Sequence, residues 1–374
     1  MISRRTTLTL AAGALAATAV RPAMAAGDPI IVNALGGLAN PNLAIGRAGP
    51  PPSVDADLDA RALGDAKASG LTAVNITLGY VFGGGDPYVE TLKALDSWDA
   101  ILAAHPADLT RITKAADVAK ARASGKIGLI YGLQNAVQVG EHLERVDEFA
   151  GRGVRVIQLT YNPQNILGDG AMAPANRGLT EQGRKVVAKL NEARVMVDLS
   201  HSGERTCLDV IAASKAPISI NHTGCRALTD LPRNKTDAEL RGVAEQGGFV
   251  GIYFMPFLTL DGHPKAADVV DHIAHALKVC GEDHVGIGTD GSVTGIDDLA
   301  AYQGALEKEI AERQAAGIGA KGERADTYPF VVDLRGVDQF RKLARLLAAR
   351  GVKPRVIDKI LGSNFVDYAA RAWG

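Results

Sequence analysis

The feature that most constrains this chain is a repeated alternation of short apolar runs with amphipathic stretches of helical spacing. Eight such runs can be read: Ile30 to Leu35, Leu71 to Leu78, Lys126 to Gln134, Val154 to Tyr161, Arg194 to His201, Pro217 to His222, Phe249 to Met255 and His284 to Asp290. The segments between them carry helical periodicity, as in GLTEQGRKVVAKLNEA, where Val186, Val187 and Leu190 share one face and the charges the other. Strand-like runs separated by helices specify parallel βα units rather than a sandwich, and eight units close a ring. The predicted fold is therefore α/β, a (β/α)₈ barrel, in one domain over 27–374.

Five of these runs end on a residue with usable chemistry: Gln134, Tyr161, His201, His222 and Asp290. A barrel builds its active site from the C-terminal tips of its strands, because that rim gathers residues distant in sequence around one cavity. The first run, IIVNALGG, supplies no strong metal ligand and no proton-transfer group.

The composition suits a large catalytic domain and shows no basic excess of the kind nucleic acid requires. Residues 1–26 read as an export signal. Arg4 and Arg5 open it, an apolar stretch from Leu8 to Val20 follows, and Ala23-Met24-Ala25 offers a small-x-small cleavage site. The arginine pair points to the twin-arginine route and so to the periplasm. The apolar stretch is shorter than the roughly 20 residues a membrane span needs. Cleavage would remove Arg4, Arg5 and Arg21 and no acid, leaving a mildly acidic protein of net charge about −4. Cys207, Cys225 and Cys280 form no close pair of zinc-site type, and they allow at most one disulfide. His105, His142, His263, His272 and His275 fall in helices or loops and read as surface or packing residues.

Two segments exceed a minimal barrel. The loop holding Gly49 to Pro52 is stiff and extended, suited to lining a pocket mouth. The segment 292–329 contains a helical ALEKEIAERQ and a Gly-rich GIGAKGE. It reads either as an insertion over the rim that sets substrate choice or as a solvated decoration or oligomer contact, and a homodimer is left open.

The stretches GLTEQGRKVVAKLNEARVMVDLSHSG, ISINHTGCRALTDLPRN and HVGIGTDG resemble the membrane dipeptidase (renal dipeptidase) family of zinc metallopeptidases, within the amidohydrolase-type barrels. The likeness runs from Asn33 to the C-terminal ILGSNFVDYAARAW and includes SWDAILAAHPADLTRITKAADV and LTYNPQN. The resemblance implies a two-metal site. One metal's ligands would come from a His-x-Asp pair on the first strand, where this chain has Leu35 and Gly37. A Glu on the third run would bridge both metals, where this chain has Gln134. The two histidines for the second metal match His201 and His222. A pocket histidine that supports the reacting carbonyl is replaced by Tyr161. The arginine for the substrate carboxylate and the acid/base aspartate match Arg233 and Asp290.

A neutral amide cannot take the place of a carboxylate anion shared by two dications, and leucine and glycine bring no ligand. The expectation is at most one zinc, held by His201 and His222 and completed by Gln134 oxygen, Asp290 or water. On that reading Asp290 moves protons, Tyr161 hydroxyl meets the developing oxyanion, and Arg233 grips a carboxylate. Asn33 is assigned to substrate polar groups or to a turn. Gln134 is read as pocket lining, and Arg233 has Asp230 and Asp237 as alternative partners in its own loop. The resemblance implies a hydrolase of dipeptides or similar small amides; the lost ligands favour, as the alternative, an inactive homologue that binds a small ligand or partner in the barrel pocket.

Overall fold

The computed structural model describes residues 29–45 and 58–374. The expected export segment and the Gly49 to Pro52 stretch lie outside the described residues.

Among the described residues nine strands form one parallel sheet: β1 (Val32–Gly36), β2 (Ala73–Thr77), β3 (Leu109–Arg111), β4 (Ile127–Leu133), β5 (Val154–Gln158), β6 (Met196–Asp198), β7 (Ser219–Thr223), β8 (Phe249–Ile252) and β9 (Val285–Ile287). Eight follow the order β1-β2-β4-β5-β6-β7-β8-β9, and β3 pairs with β4 off that path. The ends of the path meet. Asp290 N donates to Leu35 O at 2.9 Å and Gly37 N to Gly291 O at 3.2 Å, so β1 and the segment after β9 close the ring. This is the (β/α)₈ barrel that the alternation predicts, with one short strand, β3, that the sequence pattern does not announce.

Each ladder is shorter than its apolar run. The run that contains β6 extends to His201, but pairing stops at Asp198, and β5 and β9 stop before Tyr161 and Asp290. Gln134, Tyr161, His201 and Asp290 therefore sit just beyond their strands, where the chain leaves the ladder and the side chain can face the rim cavity, while His222 is still within β7. Asp290 has a φ of 59°, in the left-handed region that aspartate tolerates better than most residues.

The helices between strands form for local reasons that the sequence displays. Helix Glu181–Glu192 starts where Thr180 Oγ1 accepts from Gly183 N at 3.0 Å, and it buries Val186, Val187 and Leu190 against the barrel. Helix Asp237–Glu245 starts with a capping box between Thr236 and Glu239. The far end of the barrel is plugged by the C-terminal helix Asn364–Trp373. Its Phe365, Tyr368 and Trp373 pack on Val32, Ile130, Val156, Met196 and Phe249. Phe249 and Phe365 meet edge to face at 5.3 Å, and fully burying an apolar side chain of this kind contributes about 1.5–3 kcal/mol. The plug closes one mouth, which leaves the strand tips as the open end.

One glycine is required by close approach. A Cβ on Gly288, the residue after β9, would stand 1.9 Å from Asn221 O of β7, so only glycine lets the chain pass this close to the backbone of β7 on its way to Asp290 at the rim.

Candidate active site at the strand tips

A cavity of about 500 Å³ opens at this rim. Its floor carries Thr77, Gln134, Tyr161, His201, Arg233 and Asp290. One wall comes from the segment after β9, through helix Leu299–Ala315 and residues up to Arg335. Residues of the 292–329 segment line this wall, and the wall continues past Pro329 to Phe330 and Arg335.

His201 and His222 point their Nε2 atoms at one another across 3.0 Å. The tautomer of His201 follows from its neighbours. Asn162 Nδ2 donates to Ile318 O at 2.9 Å, which turns Asn162 Oδ1 toward His201 Nδ1 at 2.7 Å. An amide oxygen only accepts, so His201 carries its proton on Nδ1 and presents a lone pair at Nε2. Burial, reinforced by the Arg233 guanidinium, holds both imidazoles well below the usual histidine range, so both are neutral near pH 7.

The two loops bearing these histidines are fastened together by Asp198. Its Oδ1 accepts from Ser200 N at 3.0 Å, Ser200 Oγ at 2.5 Å and Asn221 N at 3.0 Å, and Ser200 Oγ accepts from His222 N at 3.1 Å. Behind them lies a buried cluster. Lys235 Nζ donates to Ser202 O, stands 3.2 Å from Cys207 Sγ and 3.5 Å from Glu239 Oε1. Cys207, Cys225 and Cys280 are buried free thiols.

Tyr161 stacks on His201 with ring centroids 4.3 Å apart. Its hydroxyl oxygen faces Arg313 Nη2 at 3.4 Å and Nη1 at 3.5 Å, and Arg313 is itself gripped by Glu323 at 2.7 Å. Burial raises the Tyr161 pKa, so the phenol keeps its proton and can donate it in a hydrogen bond. Burial also pushes Asp290 up to about 6, against the opposing pull of Arg233 and Arg313.

Arg233 is buried and does not pair with Asp230 or Asp237, the loop partners open to it in the sequence. Its Nη1 donates to Ser200 O and its Nη2 lies 3.3 Å from His201 Nε2, while Asp237 is taken by His275. Asn33 requires a larger correction. It is neither a substrate contact nor a turn residue: Nδ2 donates to Thr289 Oγ1 and Oδ1 accepts from Thr289 N, both at 2.8 Å, so it latches the barrel seam. Gln134 donates to Thr77 Oγ1 at 2.5 Å and lines the cavity. His272 is a packing residue, bonded to Cys225 N at 2.8 Å and facing Leu258 O at 3.1 Å.

The donor set distinguishes one metal from two. Two nitrogens on a tetrahedral zinc stand about 3.3 Å apart, close to the His201–His222 spacing; His201 Nε2 accepts from Arg233 Nη2 and from His222 Nε2, and an ion would displace both contacts and move the His222 proton to Nδ1, which has no hydrogen-bond partner among the described residues. A second ion finds no such set. Leu35 is buried apolar bulk, Gly37 has no side chain, and Gln134 is neutral and engaged with Thr77. Among the described residues no three His, Cys, Asp or Glu side chains gather as a metal-binding group. Two imidazoles are one protein ligand short of the usual catalytic zinc set, so a single ion there would need Asp290, Gln134 or water beside them, and Leu35, Gly37 and the Thr77-bound Gln134 offer no carboxylate or imidazole toward a second.

Several site residues escaped the sequence reading. Asp198 had a signal, an acid inside the apolar run VMVDLS, and Asn162 follows Tyr161 directly. Arg313 and Glu323 had none, since only the folded wall brings them to Tyr161.

A family model described as membrane dipeptidase (peptidase family M19) matches residues 74–317. An uncharacterized dipeptidase of Schizosaccharomyces pombe is 30% identical over 246 residues, 62% of this chain and 59% of that protein. Dipeptidase tcpJ of Claviceps purpurea is 32% identical over 222 residues, 57% of this chain and 52% of that protein. The chain thus spans little more than half the length of these curated relatives. Among solved structures, an amidohydrolase from Pseudomonas aeruginosa superposes with a TM-score of 0.76 at 28% identity, covering 92% of this chain and 97% of that one.

Proposed function

The chain belongs to the membrane dipeptidase family, peptidase family M19, and on that premise we propose that it is an exported hydrolase of dipeptides or similar small amides whose metal centre is reduced to at most one ion on His201 and His222. The observation that carries the reading is the pair of neutral imidazoles whose Nε2 atoms converge at 3.0 Å within reach of the cavity that Asp290, Tyr161 and Arg233 line.

A zinc ion at the two histidines would supply Lewis acidity and lower the pKa of water toward neutrality. The chain's own residues do the rest. Arg233 binds the substrate's terminal carboxylate through guanidinium donors not already committed to Ser200 O. Burial keeps the Tyr161 hydroxyl protonated against the opposing pull of Arg313, which donates to its oxygen, so the O–H is free to bond the carbonyl oxygen as negative charge develops there. Asp290, poised at about 6, is ionised at neutral pH and accepts the proton of the attacking water, then passes it to the leaving amine. The stacked Tyr161 and His201 rings fix these groups relative to each other.

The second reading, an inactive homologue that binds a small ligand, is favoured by Leu35, Gly37 and the Thr77-bound Gln134, which leave no shared hydroxide site. Export through the twin-arginine route to the periplasm is supported by the Arg4-Arg5 signature and the Ala23-Met24-Ala25 site. Among the described residues no helix is long and apolar enough to cross a membrane. Hydrolysis of a dipeptide panel by chelator-stripped protein, before and after one equivalent of zinc, tests the hydrolase reading. Zinc-dependent turnover supports it; dipeptide binding with no turnover in either state selects the binder.

A further inference from the structure

Four arginines line the cavity, and their partners differ. Arg313 is paired with Glu323 and Arg324 with Asp326, each at 2.7 Å. Arg233 and Arg335 form no ion pair among the described residues. Arg233 lies on the floor and Arg335 belongs to the wall built after β9. Arg335 is held without a carboxylate: its guanidinium carbon sits 5.2 Å from the centroid of Phe330, and Nη1 donates to Ile296 O at 3.4 Å. Phe330 is stiffened in turn, stacked on Tyr328 at 4.9 Å, which stacks on His263 at 4.7 Å.

A guanidinium kept half-buried on an aromatic face costs desolvation that an anion can repay, and such a group is oriented before the ligand arrives. The cavity volume of about 500 Å³ also leaves room beyond a dipeptide of two small residues. We propose that Arg335 is a specificity-determining residue that receives a second carboxylate, so that the preferred ligand is a dipeptide with an acidic side chain, its main-chain carboxylate on Arg233 and its side-chain carboxylate on Arg335.

This proposal rests on the dipeptide reading, and the experiment separates the two. Binding of Ala-Glu, Ala-Gln, Glu-Ala, Gln-Ala and Ala-Ala is measured by calorimetry on wild type and on Arg335→Gln, with glutarate and glutaramate as non-peptide probes. Wild type is expected to bind one of the two Glu dipeptides about tenfold more tightly than its Gln partner, in line with a charge-assisted contact. Arg335→Gln is expected to erase that ratio and to leave Ala-Ala unchanged. Dipeptide binding with no Glu/Gln preference, or with a preference that survives Arg335→Gln, overturns the proposal and leaves the dipeptide reading intact. Glutarate binding that needs Arg335 while every dipeptide fails keeps the anion subsite and overturns the dipeptide reading. Absence of any Arg335-dependent binding of these probes overturns the proposal. A melting curve matching wild type establishes that Arg335→Gln is folded, and Arg335→Lys, which keeps the charge but loses the planar fork, is expected to retain part of the preference.

Discussion

Replacing Asp290 by asparagine removes a charge and little else. The two side chains have nearly the same shape, and asparagine accepts the left-handed backbone that Asp290 adopts at φ 59°. Burial raises the carboxyl from 3.8 to about 6 despite Arg233 and Arg313. A raised folded-state pKa means that the native protein binds this proton more tightly than the unfolded chain does. The associated stability is fully present below the unfolded value and is lost as pH rises through the folded one. Each tenfold difference in proton affinity between the folded and unfolded chain is equivalent to about 1.4 kcal/mol. Relative to the neutral asparagine, Asp290 therefore costs nothing near pH 3, about 1 kcal/mol at pH 4.5 and about 3 kcal/mol at pH 8. Urea denaturation of metal-stripped Asp290→Asn and wild type at pH 4.5 and pH 8 measures it. The variant should gain stability at both, with the larger gain at pH 8. A gain independent of pH would mean that the carboxyl is not shifted by folding, and a loss at pH 8 that the two arginines outweigh burial.

Three further outcomes follow from the same geometry. Lys235→Met leaves Glu239 buried without its cation and should cost about 3–5 kcal/mol in urea unfolding, whereas a surface pair would cost under about 1 kcal/mol. Tyr161→Phe removes the oxyanion donor but keeps the ring on His201, so in zinc-loaded protein kcat should fall about 100-fold with KM nearly unchanged; a rise in KM alone would reassign the hydroxyl to ground-state binding. The triple change Leu35→His, Gly37→Asp and Gln134→Glu should raise metal content toward two per chain. Gly37 has room for the new side chain, the nearest atom to its Cβ being 4.0 Å away. A triple variant that folds normally by circular dichroism yet binds no more metal than wild type would remove β1 and β4 from the metal site.

What the sequence displays and what it hides divide along physical lines. The barrel is legible because each unit is local: a buried run, then an amphipathic helix with its own cap, as at Thr180 and Val186 to Leu190. The rim position of Gln134, Tyr161, His201, His222 and Asp290 is legible because a strand tip is a sequence position, and the cavity draws four of the five into its lining, with His222 meeting His201 from the side. Asn33 could not be read correctly, since its role is set by Thr289 across the seam. Arg313 carries no local signal, as a charged residue in an exposed-looking helix differs in no way from its neighbours until the wall folds onto Tyr161. The short β3 shows the limit of periodicity, because three residues do not make a pattern.

On the proposed function the barrel keeps the histidine pair for one ion, with Leu35, Gly37 and Gln134 standing where the resemblance implies ligands for a second. Elemental analysis of the purified protein after equilibration with excess zinc and removal of free metal tests it most directly. At most about one zinc per chain is expected, lost when His201 and His222 are both replaced; two tightly held zinc ions per wild-type chain would show that other side chains complete a dinuclear site.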